Sequence, residues 1–399
     1  MRLATARVFS FLEASGVRLD RVTPHEYSGM GLGLAAAVPL RLGEVALQVP
    51  RACWLPFSAV AARERMVKRS SAAVARVDSL ARGGSLGDAA LLAAHLELSP
   101  HGSQAATWLG DIGPPDVPLL WPPALRRALL HGTSAAPATE SQAQLAALIC
   151  EALTELRTGD SSSALGGGDF DRGFRVAQAA LLSRAHAGKG KPLALVPGLD
   201  LLNHAGGEAN AAVELDAVSG AFQLVVSRDL QSGEQLTIDY GALPPHKFLR
   251  LYGFVPPAAG PGSSDEEVLL QLLPTGAEGA AEAEAALRAS GLPTRIALRW
   301  ADASAPNLPD YGGSSVLLPL DGLRADARVA AVHVLARAVL AQLDRLAQGS
   351  AACEAVRSAG VSVGVEVVRR AELCAALNRR EAVMLERTRV QLARVGVEQ

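Results

Sequence analysis

An α+β fold is predicted: a β-rich core split by a helical insertion and followed by an all-α C-terminal domain. Strand-like apolar runs occur in two separated places, Gly31–Pro50 and Pro197–Val255. Between them, from Phe57 to about Ala185, the apolar residues recur at helical spacing rather than alternating. Beyond Val255, Val329, Val332, Ala336, Val339, Leu343 and Leu346 form one helical stripe, and Arg369 to Arg394 carries a second, heavily charged one.

The 399 residues give a length prior of two or three domains, and 49% hydrophobic content is ample for real cores. A net charge of −2 with scattered basic residues leaves no electrostatic footprint for nucleic acid. No apolar run reaches the ~18–20 residues that span a bilayer. Cys53, Cys150, Cys353 and Cys374 show no CxxC spacing and read as buried thiols rather than a metal site or disulfide framework. No metal is expected.

The first twenty residues carry Glu13 and Asp20, with helical spacing at Val8, Phe11, Leu12 and Val17. A transit peptide is acid-poor, so this stretch is read as the opening helix of the fold. The compartment stays open between chloroplast and cytoplasm. Next, Gly29, Gly31 and Gly33 are spaced by two, which is a tight turn between β segments and not the dinucleotide fingerprint GxGxxG. Within the insertion, Asp88 is placed as the N-cap of AALLAAHLEL. Trp108 and Trp121, bounded by prolines, are expected to pack a helix end. Phe174 to His186 reads as another helix, with Arg184 at its C-terminal end.

The stretch Pro197 to Val255 carries the chemistry. Asp200, Asn203 and His204 follow the apolar run LALVPGL. Ala212–Val218 and Phe222–Ser227 form a hairpin around Ser219-Gly220. Tyr240 closes the strand Leu236–Asp239, so the hairpin brings Asn203-His204 and Tyr240-Gly241 towards each other. Polar side chains at strand ends are held by a rigid scaffold that can aim them at a ligand.

Asn-His, a hairpin, GEQLTIDYG and then LYGFV, in that order, resemble the C-terminal half of a SET domain. The chain is similar in particular to the Rubisco large-subunit lysine methyltransferase type. The match extends to Gly31, Leu32, Gly33 and Leu34, to Ser183-Arg184 and, more loosely, to ALNRREAVML near the C-terminus. The resemblance implies an S-adenosylmethionine-dependent protein N-methyltransferase acting on a lysine of a non-histone protein. It implies a SET core interrupted by a helical insertion, with segments 1–57, 58–186 and 187–257, and a helical substrate-binding domain at 265–399.

The resemblance also implies roles. The cofactor contacts are Gly31, Leu32, Gly33, Arg184, Asp200, Asn203, His204, Tyr240 and Tyr252, with the Arg184 guanidinium meeting the cofactor's carboxylate. Tyr240 is the catalytic residue, and Tyr252 and Phe254 line the acceptor channel. The protein substrate docks on the C-terminal helical domain of a monomer, without nucleic acid or membrane. Two residues depart from the family pattern: Met30, where relatives carry an acid, and Pro245, where they carry Asn. The alternatives are an inactive SET fold serving as a protein-binding module and a histidine methyltransferase.

Overall fold

The fold is that of a computed structural model, which describes residues 9–10, 12–14, 16–81, 84–98, 110, 112–153, 169–188, 191–257, 266–272, 285, 287–288, 292–300, 316–318 and 325–397. The chain forms two compact units. One comprises Met1–Leu120 and Gln142–Ala242; the other comprises Trp121–Ser141 and Leu243–Gln399.

In the first unit, β1 (Val22–Tyr27) pairs antiparallel with β2 (Gly31–Ala36) across the glycine-rich turn. A second sheet joins β3 (Val45–Val49) to the hairpin of β7 (Ala211–Leu215) and β8 (Phe222–Val226). Alternation explains its orientation, because Phe222, Leu224 and Val226 are buried while Gln223 and Val225 are half-exposed. A short antiparallel pair, β4 (His186–Gly188) and β5 (Lys191–Ala194), follows the insertion. The strand β9 (Gln235–Ile238) joins the first sheet, antiparallel to β2 and parallel to the two-residue β6 (Asn203–His204). The helices of the insertion pack against these sheets in one core that includes Leu34, Leu47, Leu91, Phe174, Leu224 and Leu236.

Two expectations in this unit change. Asp88 is not an N-cap; it lies inside the helix Gly84–Glu97. Its carboxylate accepts hydrogen bonds from Arg63, whose guanidinium also grips Asp78. The helix expected from Phe174 begins at Phe170, because the Asp169 carboxylate accepts from the Arg172 amide and Phe170 stacks on Phe174 one turn later. Helical residues are described at 9–10 and 12–14; Val8, Phe11 and Trp108 lie outside the described residues.

In the second unit the expected helical stripes are two long helices, Ala325–Ala359 and Val365–Val397, packed on each other. Before them comes a feature the sequence reading did not anticipate, a three-stranded antiparallel sheet of β10 (Glu267–Gln271), β11 (Arg295–Trp300) and β12 (Val316–Leu317). On β11, Ile296, Leu298 and Trp300 are buried and alternate with exposed Arg295, Ala297 and Arg299. The helix expected over Ala280–Ala289 lies almost wholly outside the described residues. Trp121 is buried with Leu129, Cys353 and Leu377, and the Arg370 guanidinium sits 5.5 Å from its ring centroid. Gly132 (φ +81°) lets the backbone turn directly over the helix Ala325–Ala359; a Cβ there would lie 2.5 Å from the Leu346 nitrogen.

Glu381 is fully buried in this unit, and both its carboxyl oxygens accept from the Ser134 amide at the start of the helix Ala135–Ala152. Burial pushes its pKa up to about 8, against the pull of the Ser134 hydrogen bonds. The folded chain therefore holds this proton across a window, from its ordinary value near 4.5 up to about 8, in which the unfolded chain has released it. Stability from this group falls as pH rises through the window. Glu381→Gln is expected to remove that slope and to gain stability relative to the parent above pH 8. Thermal midpoints of both proteins from pH 5 to pH 9 test this, and parallel curves would contradict it.

Among the described residues, no helix is long and apolar enough to cross a membrane, and no three His, Cys, Asp or Glu side chains group so as to hold a metal ion.

Candidate active site

The site forms where β2, β6 and β9 run side by side in the first unit. Gly33 lies between Tyr27 and Asn203: a Cβ at Gly33 would lie 2.7 Å from the Asn203 side-chain nitrogen and 2.9 Å from the Tyr27 ring. That close approach is what a glycine permits and no other residue does. Asn203 donates from Nδ2 to the Leu32 carbonyl at 3.4 Å, which ties the glycine turn to the Asn-His strand. Met30 is exposed beside the turn, with its sulfur 3.9 Å from Gln235 Nε2.

His204 is held by backbone. Its Nδ1 accepts from the Tyr240 amide at 3.1 Å and from the Gly206 amide at 3.4 Å. Two donors pointing at Nδ1 place the ring proton on Nε2. Burial lowers the His204 pKa, and the Asp239 carboxylate, 3.7 Å from Nδ1, works against that. The imidazole is thus neutral at physiological pH and serves as an anchor for the strand end rather than as a proton carrier. The His204 and Tyr240 rings lie 5.1 Å apart.

Tyr240 leaves β9 directly after Asp239. Its hydroxyl donates to the Leu202 carbonyl at 2.6 Å. With the proton committed to that carbonyl, the phenol oxygen keeps acceptor capacity.

Arg184 ends its helix and donates from Nη1 to the Asp200 carbonyl at 3.1 Å, while its buried Nε has no protein partner. The Asp200 side chain is buried in the turn Leu199–Leu201, where the Gly198 and Asp200 amides favour its charged form only weakly. Burial drives its pKa up to about 7, and Arg184 draws it back only in part. An unpartnered guanidinium N–H complements a carboxylate, and the protonated Asp200 offers an O–H donor nearby.

The Asp200 proton has a measurable consequence. The folded state keeps it up to about pH 7, whereas the unfolded chain releases it near 3.8. Between those values the unfolded state binds fewer protons, so stability declines as pH rises. Asp200→Asn is expected to lack this decline and to be the more stable protein above pH 7, by up to a few kcal/mol, since each tenfold change in proton affinity is worth ~1.4 kcal/mol. Urea midpoints of the two proteins at pH 5 and pH 8 measure it, and an equal difference at both pH values would contradict it.

The structure thus brings Gly31, Leu32, Gly33, Arg184, Asp200, Asn203, His204 and Tyr240 into one unit. Tyr252 and Phe254 belong to the second unit, where Phe248, Tyr252 and Phe254 form an aromatic group with centroids 5.3–6.3 Å apart. Burial raises the Tyr252 pKa. Pro245 opens the helix Pro245–Tyr252. In the first turn a proline's missing N–H leaves no helical bond unmade, so this departure from the family pattern costs the helix nothing. Sequence reasoning missed Asn210, whose side chain clips β9. Its only sequence signal is its place six residues after His204, at the start of the hairpin.

No protein-family model matches the chain, and no curated protein sequence matches it. Solved structures do match over its full length. The SET domain of LSMT bound to lysine and AdoHcy is 19% identical with a TM-score of 0.65, covering 100% of this chain and 93% of that one. Rubisco LSMT bound to sinefungin and monomethyllysine is 19% identical, and Rubisco LSMT bound to AdoMet 18%; each has a TM-score of 0.63 at the same coverage. At these identities the likeness speaks for the fold: the chain has the SET fold of the Rubisco LSMT structures.

Proposed function

We propose that this protein is an S-adenosylmethionine-dependent protein N-methyltransferase whose acceptor is a lysine side chain of a non-histone protein. The observation that carries the reading is the meeting of Arg184, Asp200, Asn203, His204 and Tyr240 at the β6–β9 junction of a SET fold. Support for the cofactor comes from the buried, unpartnered Arg184 Nε, which suits the carboxylate of S-adenosylmethionine. The LSMT structures with this likeness hold AdoMet, AdoHcy, lysine or monomethyllysine.

In this reading Arg184 binds the carboxylate through its fork of donors, a geometry lysine cannot offer. Gly31, Leu32 and Gly33 line the cofactor with backbone, and Asn203 and His204 hold it partly through backbone groups. The cofactor supplies a methyl group activated on a sulfonium. Tyr240 orients the methyl group and the incoming amine with its oxygen. Little acid–base machinery is needed, because alignment and water exclusion alone supply ~7–11 kcal/mol. The lysine, with a free pKa of about 10.4, must arrive neutral, and a dry channel favours that form. Tyr252 and Phe254 line the acceptor channel, and the long helices of the second unit present the face on which the protein acceptor docks.

Incubation of the purified protein with isotopically labelled S-adenosylmethionine and fractionated cell extract tests the reading. Label recovered on lysine of a single protein is the expected result. Tight cofactor binding by calorimetry without transfer to any fraction would favour a protein-binding module, and absence of cofactor binding would refute the proposal.

A further inference from the structure

Asn210 is almost fully buried at the head of β7, and its side chain acts as a neighbouring strand for β9. Its Nδ2 donates to the Gln235 carbonyl at 2.8 Å, and its Oδ1 accepts from the Thr237 amide at 2.9 Å. Its own amide donates to the Thr237 carbonyl at 3.3 Å, and its carbonyl accepts from the Ser227 amide at 2.9 Å. Donor and acceptor are each matched, so the side-chain amide has one orientation that satisfies both partners.

The position of this clip matters. β6 pairs Asn203 with Thr237 and His204 with Ile238, but the Gln235 carbonyl and the Thr237 amide and carbonyl all bond to Asn210, on the edge opposite the one where the Ala205 amide reaches the Ile238 carbonyl. Asn210 satisfies Gln235 and Thr237, just before the β6 contact at Ile238, and joins β9 to the end of β8 through Ser227. The residues that follow are Ile238, whose carbonyl accepts from the Ala205 amide, and Tyr240, whose amide reaches His204 Nδ1. A shift of β9 along its axis displaces both ends of Tyr240: its amide on His204 and its hydroxyl on the Leu202 carbonyl.

We propose that Asn210 is a positioning residue for Tyr240 and His204, setting where the phenol oxygen stands through the strand that delivers it. The proposal rests on Tyr240 acting in methyl transfer, and nothing in it requires Asn210 to touch cofactor or acceptor. Misplacement by ~1 Å costs up to about a hundredfold in rate. Asn210 truncation is therefore expected to lower kcat by about tenfold or more while changing S-adenosylmethionine affinity by less than about threefold.

The test uses the full-length chain, with Asn210→Ala and the isosteric Asn210→Asp. An aspartate keeps the acceptor for Thr237 but donates to Gln235 only when protonated. The rate of Asn210→Asp relative to the parent is thus expected to rise as pH falls, a profile that general loosening does not produce. In parallel, the ring nitrogen-15 resonances of His204 report whether Nδ1 still receives the Tyr240 amide. Lowered kcat, near-parental cofactor affinity and a moved Nδ1 signal support the proposal. Parental kcat together with an unmoved signal overturns it. If Asn210→Ala does not fold, Asn210→Asp decides by the same criteria. If the parent itself transfers no methyl group, the functional reading fails, and the Nδ1 signal alone decides whether Asn210 positions Tyr240.

Discussion

Tyr240→Phe is expected to slow methyl transfer by ~10²–10³ while S-adenosylmethionine affinity stays within a few-fold of the parent. The ring keeps its place near His204, and the Tyr240 amide keeps its bond to Nδ1, because neither depends on the hydroxyl. What disappears is the oxygen that the Leu202 carbonyl orients. The buried Leu202 carbonyl also loses its Tyr240 donor, at ~1–3 kcal/mol, so a thermal midpoint lower by a few degrees should accompany the change. Single-turnover transfer from prebound cofactor separates the two effects. A variant with parental turnover would remove Tyr240 from the chemistry and leave it as a structural tie between β9 and the turn before β6.

Arg184→Ala is expected to act on binding rather than on the bound-state step. A charge-assisted bond to a carboxylate is worth ~1.5–3 kcal/mol, or roughly ten- to over a hundredfold in Kd. At saturating cofactor the transfer rate should stay within a few-fold of the parent. Removing the guanidinium also removes the one charge that lowers the Asp200 pKa, so the Asp200 proton should become harder to lose. Arg184→Lys keeps the charge but loses the planar fork and should fall between the two. Calorimetric titration of all three proteins measures this. An unchanged Kd for the alanine variant would assign Arg184 to the helix end and to the Asp200 carbonyl alone.

The local patterns were legible because they are short-range. The hairpin Ala211–Val226, the strand before Tyr240 and the two long C-terminal helices follow from alternation, turn residues and helical stripes. The ordered set Asn203-His204, Tyr240-Gly241 and Ser183-Arg184 pointed to a SET fold for the same reason: each motif is contiguous. Asp88 failed as an N-cap because its partner, Arg63, lies 25 residues away, and no local rule sees that pair. The β10–β12 sheet escaped notice because its strands are separated by long stretches and β11 carries arginines on its exposed face.

By itself, then, the sequence determined the contiguous motifs of a SET fold and most of the elements that hold them. Tertiary structure decided their states. Asp200 and Glu381 are ordinary carboxyls as letters, and only burial without enough compensating donors keeps their protons near neutral pH. His204 became an anchor and Tyr240 an oriented acceptor because backbone groups distant in sequence take up Nδ1 and the hydroxyl proton. Asn210 became a substitute strand because its side chain meets the Gln235 carbonyl and the Thr237 amide, groups that β6 does not reach. Desolvation and the pairing of buried donors are sums over everything that surrounds a group, and a linear pattern records only its neighbours along the chain.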